Sequence, residues 1–174
     1  MQVIRGARMC LDQKLQHPCL ILIYTLIDSL AWASSDKSSG RVRSRFEQWV
    51  VAWLGSSIPC TATELYAARC AVLHTLTSKA DLTKSGKARE IAYAWGTAKV
   101  SDLQTAITRA GQTNLVAVHI DQLLDAICAA MGRMLEEAQR NPALERHLQD
   151  AAKQHFVTDG PHLIKEFLEK SRDA

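Results

Sequence analysis

Arg69 and His74 lie in the stretch Thr61-Ala62-Thr63-Glu64-Leu65-Tyr66-Ala67-Ala68-Arg69-Cys70-Ala71-Val72-Leu73-His74, with four residues between them. Arginine offers a planar, permanently charged fork that matches phosphate oxygens, and histidine is the side chain whose ordinary pKa lies nearest neutrality. Together they can hold a phosphate and move a proton, which are the two abilities that phosphodiester cleavage needs.

Such a spacing is cheap. A chain of this composition yields roughly one accidental match, and a second pair is indeed present, Arg140 and His147. There, Asn141-Pro142 ends one helix and restarts another, so the two side chains have no fixed mutual geometry. The first pair falls on an uninterrupted helical segment. At about 100° per residue, Leu65, Ala68, Val72 and Leu76 share one face, the expected core face. His74 falls opposite, with Thr63, Cys70 and Thr77, while Tyr66 lies between the faces. Arg69 sits at the edge of the apolar stripe, where its stem can pack and its head can reach outward. The blander readings are an exposed histidine, an ordinary salt bridge for Arg69, and a small packing residue in Cys70.

The elements that must position this pair are mainly helical. His17-Pro18 marks a helix entry, and residues 18–33 are apolar on nearly every face, as in a central helix. A Ser-rich break over 34–40 precedes a helix over 43–54, with Phe46, Trp49, Val50 and Trp53 at core spacing. After a turn at 55–60, Thr61 and Glu64 form a capping box that starts the helix carrying Arg69 and His74, which is expected to run to about residue 78. Residues 79–86 read as a polar loop. Residues 91–95 and 115–120 are strand candidates, separated by a helix over 101–110. An aspartate-capped amphipathic helix follows over 121–140, and helices over 142–171 complete the chain. The expected fold is mainly α, with a short two-stranded β element as its only sheet.

At 174 residues and 19.3 kDa, with 47% hydrophobic and 22% charged residues, the chain fits one soluble domain spanning 1–174. A net charge of +3 is too mild to identify a nucleic-acid partner by itself. The five cysteines, Cys10, Cys19, Cys60, Cys70 and Cys128, are scattered and lack metal or disulfide spacing, which fits a reducing cytoplasm. The apolar run over 19–27 falls short of the ~20 residues that span a bilayer. Neither a membrane anchor nor a secretory signal is expected.

The apolar helix ending Ile27-Asp28-Ser29-Leu30-Ala31, the segment Arg45-Phe46-Glu47-Gln48-Trp49, and Arg69-Cys70-Ala71-Val72-Leu73-His74 together resemble a bacterial HEPN-domain protein. The resemblance covers about 15–140, leaving the C-terminal helices as an extension. It implies a helical bundle and a homodimer in which two Arg-x-x-x-x-His motifs face one cleft. It also implies metal-independent endoribonuclease activity, by attack of the RNA 2′-hydroxyl on the adjacent phosphate. Carried over, Arg69 and His74 become the catalytic residues, supported by Cys70 and Tyr66. A role in toxin–antitoxin systems or phage defence, with an antitoxin partner, belongs to the same resemblance. Active members usually carry asparagine, aspartate or histidine where this chain has Cys70. A non-catalytic module of the same fold that binds RNA, a nucleotide or a protein therefore stands as the alternative.

Two basic clusters could touch RNA phosphates: Lys37, Arg41, Arg43 and Arg45, and, nearer the motif, Lys79, Lys84, Lys87 and Arg89. Solvated surface charge is the plainer reading for each. His119 with Asp121, and His17 with Cys19, lack further ligands at metal spacing, so neither a metal nor a cofactor is expected. No glycine-rich phosphate loop, Gly-x-Ser-x-Gly or His-Glu-x-x-His occurs in the chain, which leaves nucleotide hydrolases, esterases and zinc proteases without support.

Overall fold

The computed structural model describes residues 2–36, 40–77 and 79–154, with Thr75 described by its backbone alone. Lys37, Ser78 and the helix expected to open at Pro161 lie outside these residues.

Among the described residues the chain is mainly α-helical with one short sheet. It begins with α1 (Gln2–Asp12), which the sequence reading missed. Val3, Ile4, Ala7, Cys10 and Leu11 recur at helical spacing and dock α1 onto the next helix, and Ala7 is fully buried. The central helix α2 (Gln16–Ser34) buries Cys19, Leu20, Ile23, Tyr24, Leu26, Ile27, Leu30 and Ala31. It is longer than its most apolar run, and at 19 residues it is long and apolar enough to cross a membrane by length and composition. Against α2 pack α1, α3, α4, α7 and α8, which is why nearly every face of its sequence is apolar.

Helix α3 (Val42–Trp49) continues into a π-helical turn, Val50–Leu54, and then a 3₁₀ turn, Gly55–Ser57. The Arg133 guanidinium donates to the Trp53 carbonyl at 2.5 Å, satisfying a group at this irregular end. Phe46, Trp49 and Val50 are core residues, as their spacing predicts.

Helix α4 (Ala62–Thr75) carries the motif. Its capping box is complete: Glu64 N–H donates to Thr61 Oγ1 at 3.2 Å, and Thr61 N–H donates to Glu64 Oε2 at 2.7 Å. The helix ends before residue 78, because Leu76 adopts a left-handed conformation with φ 50°. The Leu76 and Thr77 N–H groups then both return to the Ala71 carbonyl, the latter at 3.2 Å, and wrap the helix end. This turn removes Leu76 from the expected core face and leaves it 63% exposed. The polar segment that follows contains one short helical turn, α5 (Asp81–Lys84), where the sequence reads as loop.

Strands β1 (Glu90–Ala94) and β2 (Leu115–His119) pair in parallel, with Ile91 opposite Val116 and Tyr93 opposite Val118. The helix between them, α6 (Val100–Arg109), is the crossover that a parallel pair requires. It also closes the sheet, since Gln104 Oε1 accepts the Ala117 N–H at 3.0 Å. Tyr93 on β1 hydrogen-bonds the Tyr24 hydroxyl on α2, joining the sheet to the central helix.

Helix α7 (Ile120–Ala138) places Leu123, Leu124, Ile127, Ala130 and Met134 in the core. Asp121 is not its cap. The cap position is His119, and the Asp121 carboxylate instead accepts the Gly96 N–H at 3.2 Å, because β2 runs directly into α7 and shifts the start by one residue. Asn141 caps α8 (Pro142–Lys153) through bonds from Ala143 and Leu144 N–H. Arg140 lies in the intervening turn and His147 on α8, so that pair is split as the sequence predicts.

Candidate functional site

Arg69 projects from α4 toward Asp28 on α2. Its Nε and Nη2 donate to one oxygen, Asp28 Oδ2, at 2.9 and 2.7 Å, and its Nη1 lies 3.0 Å from His74 Nε2. Guanidinium can only donate, so Nε2 is the acceptor and carries the lone pair, with the ring proton on Nδ1. Of the five guanidinium protons, these contacts use three and leave one on each Nη nitrogen. The arginine therefore keeps two N–H groups for an anion while its orientation is set by a carboxylate. Burial alone lowers the Arg69 pKa, but its hydrogen bond and charge interaction with Asp28 outweigh that and raise it.

Contact between residues five apart is not the ordinary helical i, i+4 relation. The long Arg69 side chain spans the difference on the outer side of α4, where His74 is exposed. His74 thus lies away from the core, as the helical wheel predicts, whereas Thr63 and Cys70, expected on the same polar face, are half-buried against neighbouring helices.

Tyr66 fixes the arginine from a third direction. The Arg69 and Arg43 guanidinium carbons lie 5.9 and 5.8 Å from the Tyr66 ring centroid, within cation–π range. Phe46 meets the same ring edge-on, with centroids 5.4 Å apart and planes at 66°. Burial, followed by a hydrogen bond with Cys70, raises the Tyr66 pKa. Cys70 lies close enough to Arg69 to contribute to its raised pKa, so its thiol belongs to the Arg69 and Tyr66 side of the site. Arg43 donates to Glu47 at 3.0 Å, and Glu47 also accepts from Thr63, which ties α3 to α4 beneath Tyr66.

Sequence reasoning did not single out Asp28 as a site residue. Its signal was an acidic residue inside the most apolar helix, a position that calls for a buried cationic partner. Beside Asp28 and Arg69 opens a cavity of about 210 Å³, lined also by Ala31, Trp32, Val42 and Arg45.

The basic cluster after the motif divides. Lys79, Lys84 and Lys87 are exposed, and Lys84 lies 3.9 Å from Asp81. Arg89 is held by Glu64, with Nε 2.5 Å from Oε1 and Nη2 3.2 Å from Oε2. Glu64 is almost fully buried, so Arg89 neutralises an interior carboxylate and is committed to the fold. In the earlier cluster Arg41 and Arg43 are exposed, and only Arg45 lines the cavity.

Among the described residues, no three His, Cys, Asp or Glu side chains converge as a metal site. His119 and Asp121 approach to 3.4 Å without a third ligand. His147 lines a separate cavity of about 430 Å³ with Ser34, Trp53, Glu137 and Asn141. Comparison with protein-family models, curated proteins and solved structures gives no match to this chain.

Proposed function

We propose that the protein is a metal-independent endoribonuclease of HEPN type, acting as a homodimer with Arg69 and His74 as its catalytic residues. The observation that carries this reading is the Arg69 guanidinium, oriented by Asp28, with one edge on His74 Nε2 and two N–H groups to spare. An RNA phosphate seated on those N–H groups brings the neighbouring 2′-hydroxyl toward an unprotonated imidazole nitrogen. As the phosphate draws the guanidinium onto its oxygens, Arg69 Nη1 releases His74 Nε2; the freed lone pair takes the 2′-hydroxyl proton, the O2′–P bond forms, and the P–O5′ bond breaks. The O5′ leaving group is protonated by His74 of a second copy. Arg69 stabilises charge on the non-bridging oxygens, where preorganised donors contribute most. The products are a 2′,3′-cyclic phosphate and a free 5′-hydroxyl. The exposed position of His74 allows a second copy to approach. The resemblance extends the proposal to a cytoplasmic bacterial protein working in toxin–antitoxin or phage-defence systems, with an antitoxin as protein partner.

A non-catalytic module for RNA, nucleotide or protein binding is the second reading. Cys70 favours it, because a thiol is a weak hydrogen-bonding partner and this one supports Tyr66 and Arg69. Incubating the purified protein with mixed RNA in EDTA separates the two. Decay by the wild type but not by His74→Ala or Arg69→Ala is expected, and equal decay in all three samples removes the enzymatic reading.

A further inference from the structure

We propose that the cavity beside Arg69 is a nucleobase subsite for the nucleotide flanking the cleaved phosphate, with the base stacked on Trp32 and its amino edge turned to Asp28. This inference rests on the ribonucleolytic reading above. The cavity lies between α2 and α3 and shares a wall, Arg69, with the phosphate position. A base entering it is therefore one nucleotide from the scissile bond.

Each wall has its own chemistry. Trp32 follows Asp28 by one helical turn and is 37% exposed, unlike the core residue Trp49. An accessible indole on a nucleic-acid path offers a stacking platform. Arg45 faces the same space, and among the described residues its one side-chain hydrogen bond, to the Gly40 carbonyl, is long at 3.5 Å. Its guanidinium is thus available to the next phosphate along the strand. Asp28 lines the cavity, and its Oδ1 is enclosed without a hydrogen-bond partner among the described residues, because Arg69 uses Oδ2 alone; a ligand N–H reaches Oδ1 as the carboxylate turns toward the cavity. A buried carboxylate oxygen without a donor is costly, and a ligand N–H relieves that cost. A carboxylate accepts and never donates, so an exocyclic amine suits this wall and a carbonyl is repelled. Cytosine and uracil have equal ring size and differ at C4, amine against carbonyl, and at N3, acceptor against N–H, so the pair reads whether this wall takes the C4 amine.

The test is isothermal titration calorimetry of the wild type, Trp32→Phe, Trp32→Leu and Arg45→Gln with cytidine 3′-monophosphate and uridine 3′-monophosphate. Cytidine monophosphate is expected to bind several-fold more tightly than its uridine counterpart. Trp32→Phe retains binding, while Trp32→Leu, which fills space without a π face, weakens both nucleotides by about tenfold. Arg45→Gln weakens both. Equal affinity for the two nucleotides, unchanged binding by Trp32→Leu, or no binding in the millimolar range overturns the subsite. RNA cleavage by the same preparations reports separately on the parent reading. Cleavage with nucleotide binding indifferent to Trp32→Leu discards the subsite and keeps the ribonuclease. Selective cytidine binding without cleavage does the reverse.

Discussion

Asp28 holds Arg69 across 41 residues of sequence through a single carboxylate oxygen, at 2.7 and 2.9 Å. This one contact joins the central helix to the motif helix and decides which edge of the guanidinium faces His74. Both side chains are largely but not wholly buried, at 23% and 14% exposure. Removing the charge from one partner leaves the other short of compensation, softened by solvent access. Asp28→Asn is expected to lower unfolding stability by about 1–2 kcal/mol in urea denaturation. An unchanged midpoint would show that the pair positions nothing.

Glu64 carries a pH dependence whose sign follows from its surroundings. Burial by itself disfavours the carboxylate, but the hydrogen bonds from Arg89 and from Thr61 outweigh it and depress the pKa below the ordinary glutamate value. Between those two values the folded protein binds fewer protons than the unfolded chain, so stability is retained above the ordinary glutamate range and falls as pH drops through the lower, folded pKa. Glu64→Gln, which keeps an acceptor for the capping box, is expected to be less stable at neutral pH and to lose less stability on acidification. Urea unfolding at a series of pH values checks this, and parallel curves for the two proteins would refute it.

Leu76 ends the motif helix at φ 50°, an uncommon conformation for a branched side chain, and it is exposed there. The left-handed region costs such a residue about 1–2 kcal/mol, part of which glycine returns as extra freedom in the unfolded chain. Leu76→Gly is expected to stabilise the protein by roughly 0.5–1 kcal/mol, read as a raised thermal midpoint. A lowered midpoint would mean that Leu76 makes a contact worth more than the strain.

The cysteines are expected to react in two groups. Burial raises the Cys19 thiol to about 11 and the Cys60 thiol to about 12, so neither supplies thiolate at neutral pH. Cys10, Cys70 and Cys128 are half-buried. Mass spectrometry after brief alkylation of the native protein should find label at these three before Cys19 and Cys60. Early labelling of Cys60 would contradict the packing around β1 and α4.

The local signals in the sequence proved the durable ones. Thr61 with Glu64 marked the start of the motif helix, Asn141-Pro142 marked a break, and the apolar periodicity placed Leu65, Ala68 and Val72 inside and His74 outside. Relations between distant segments were not legible. Asp28 is invisible as a partner of Arg69 without the packing of α2 on α4, and Arg89 reads as a free cation until the fold brings it to Glu64. The end of the motif helix at Thr75 is not legible, because a left-handed leucine carries no glycine-like signature. Helix α1 did carry an apolar stripe, but Arg5, Gly6 and Arg8 interrupt it. Even the Arg69 and His74 contact depended on a side-chain reach that the helical wheel does not describe.

His74 is proposed to accept a proton from an RNA 2′-hydroxyl, and the chemistry of the product ends tests that step most directly. Wild-type protein incubated with RNA in EDTA should yield fragments ending in 2′,3′-cyclic phosphate and beginning with 5′-hydroxyl, whereas His74→Ala, folded to the same thermal midpoint, should yield none. Fragments with 3′-hydroxyl and 5′-phosphate ends, or the same cyclic ends from His74→Ala, would contradict it.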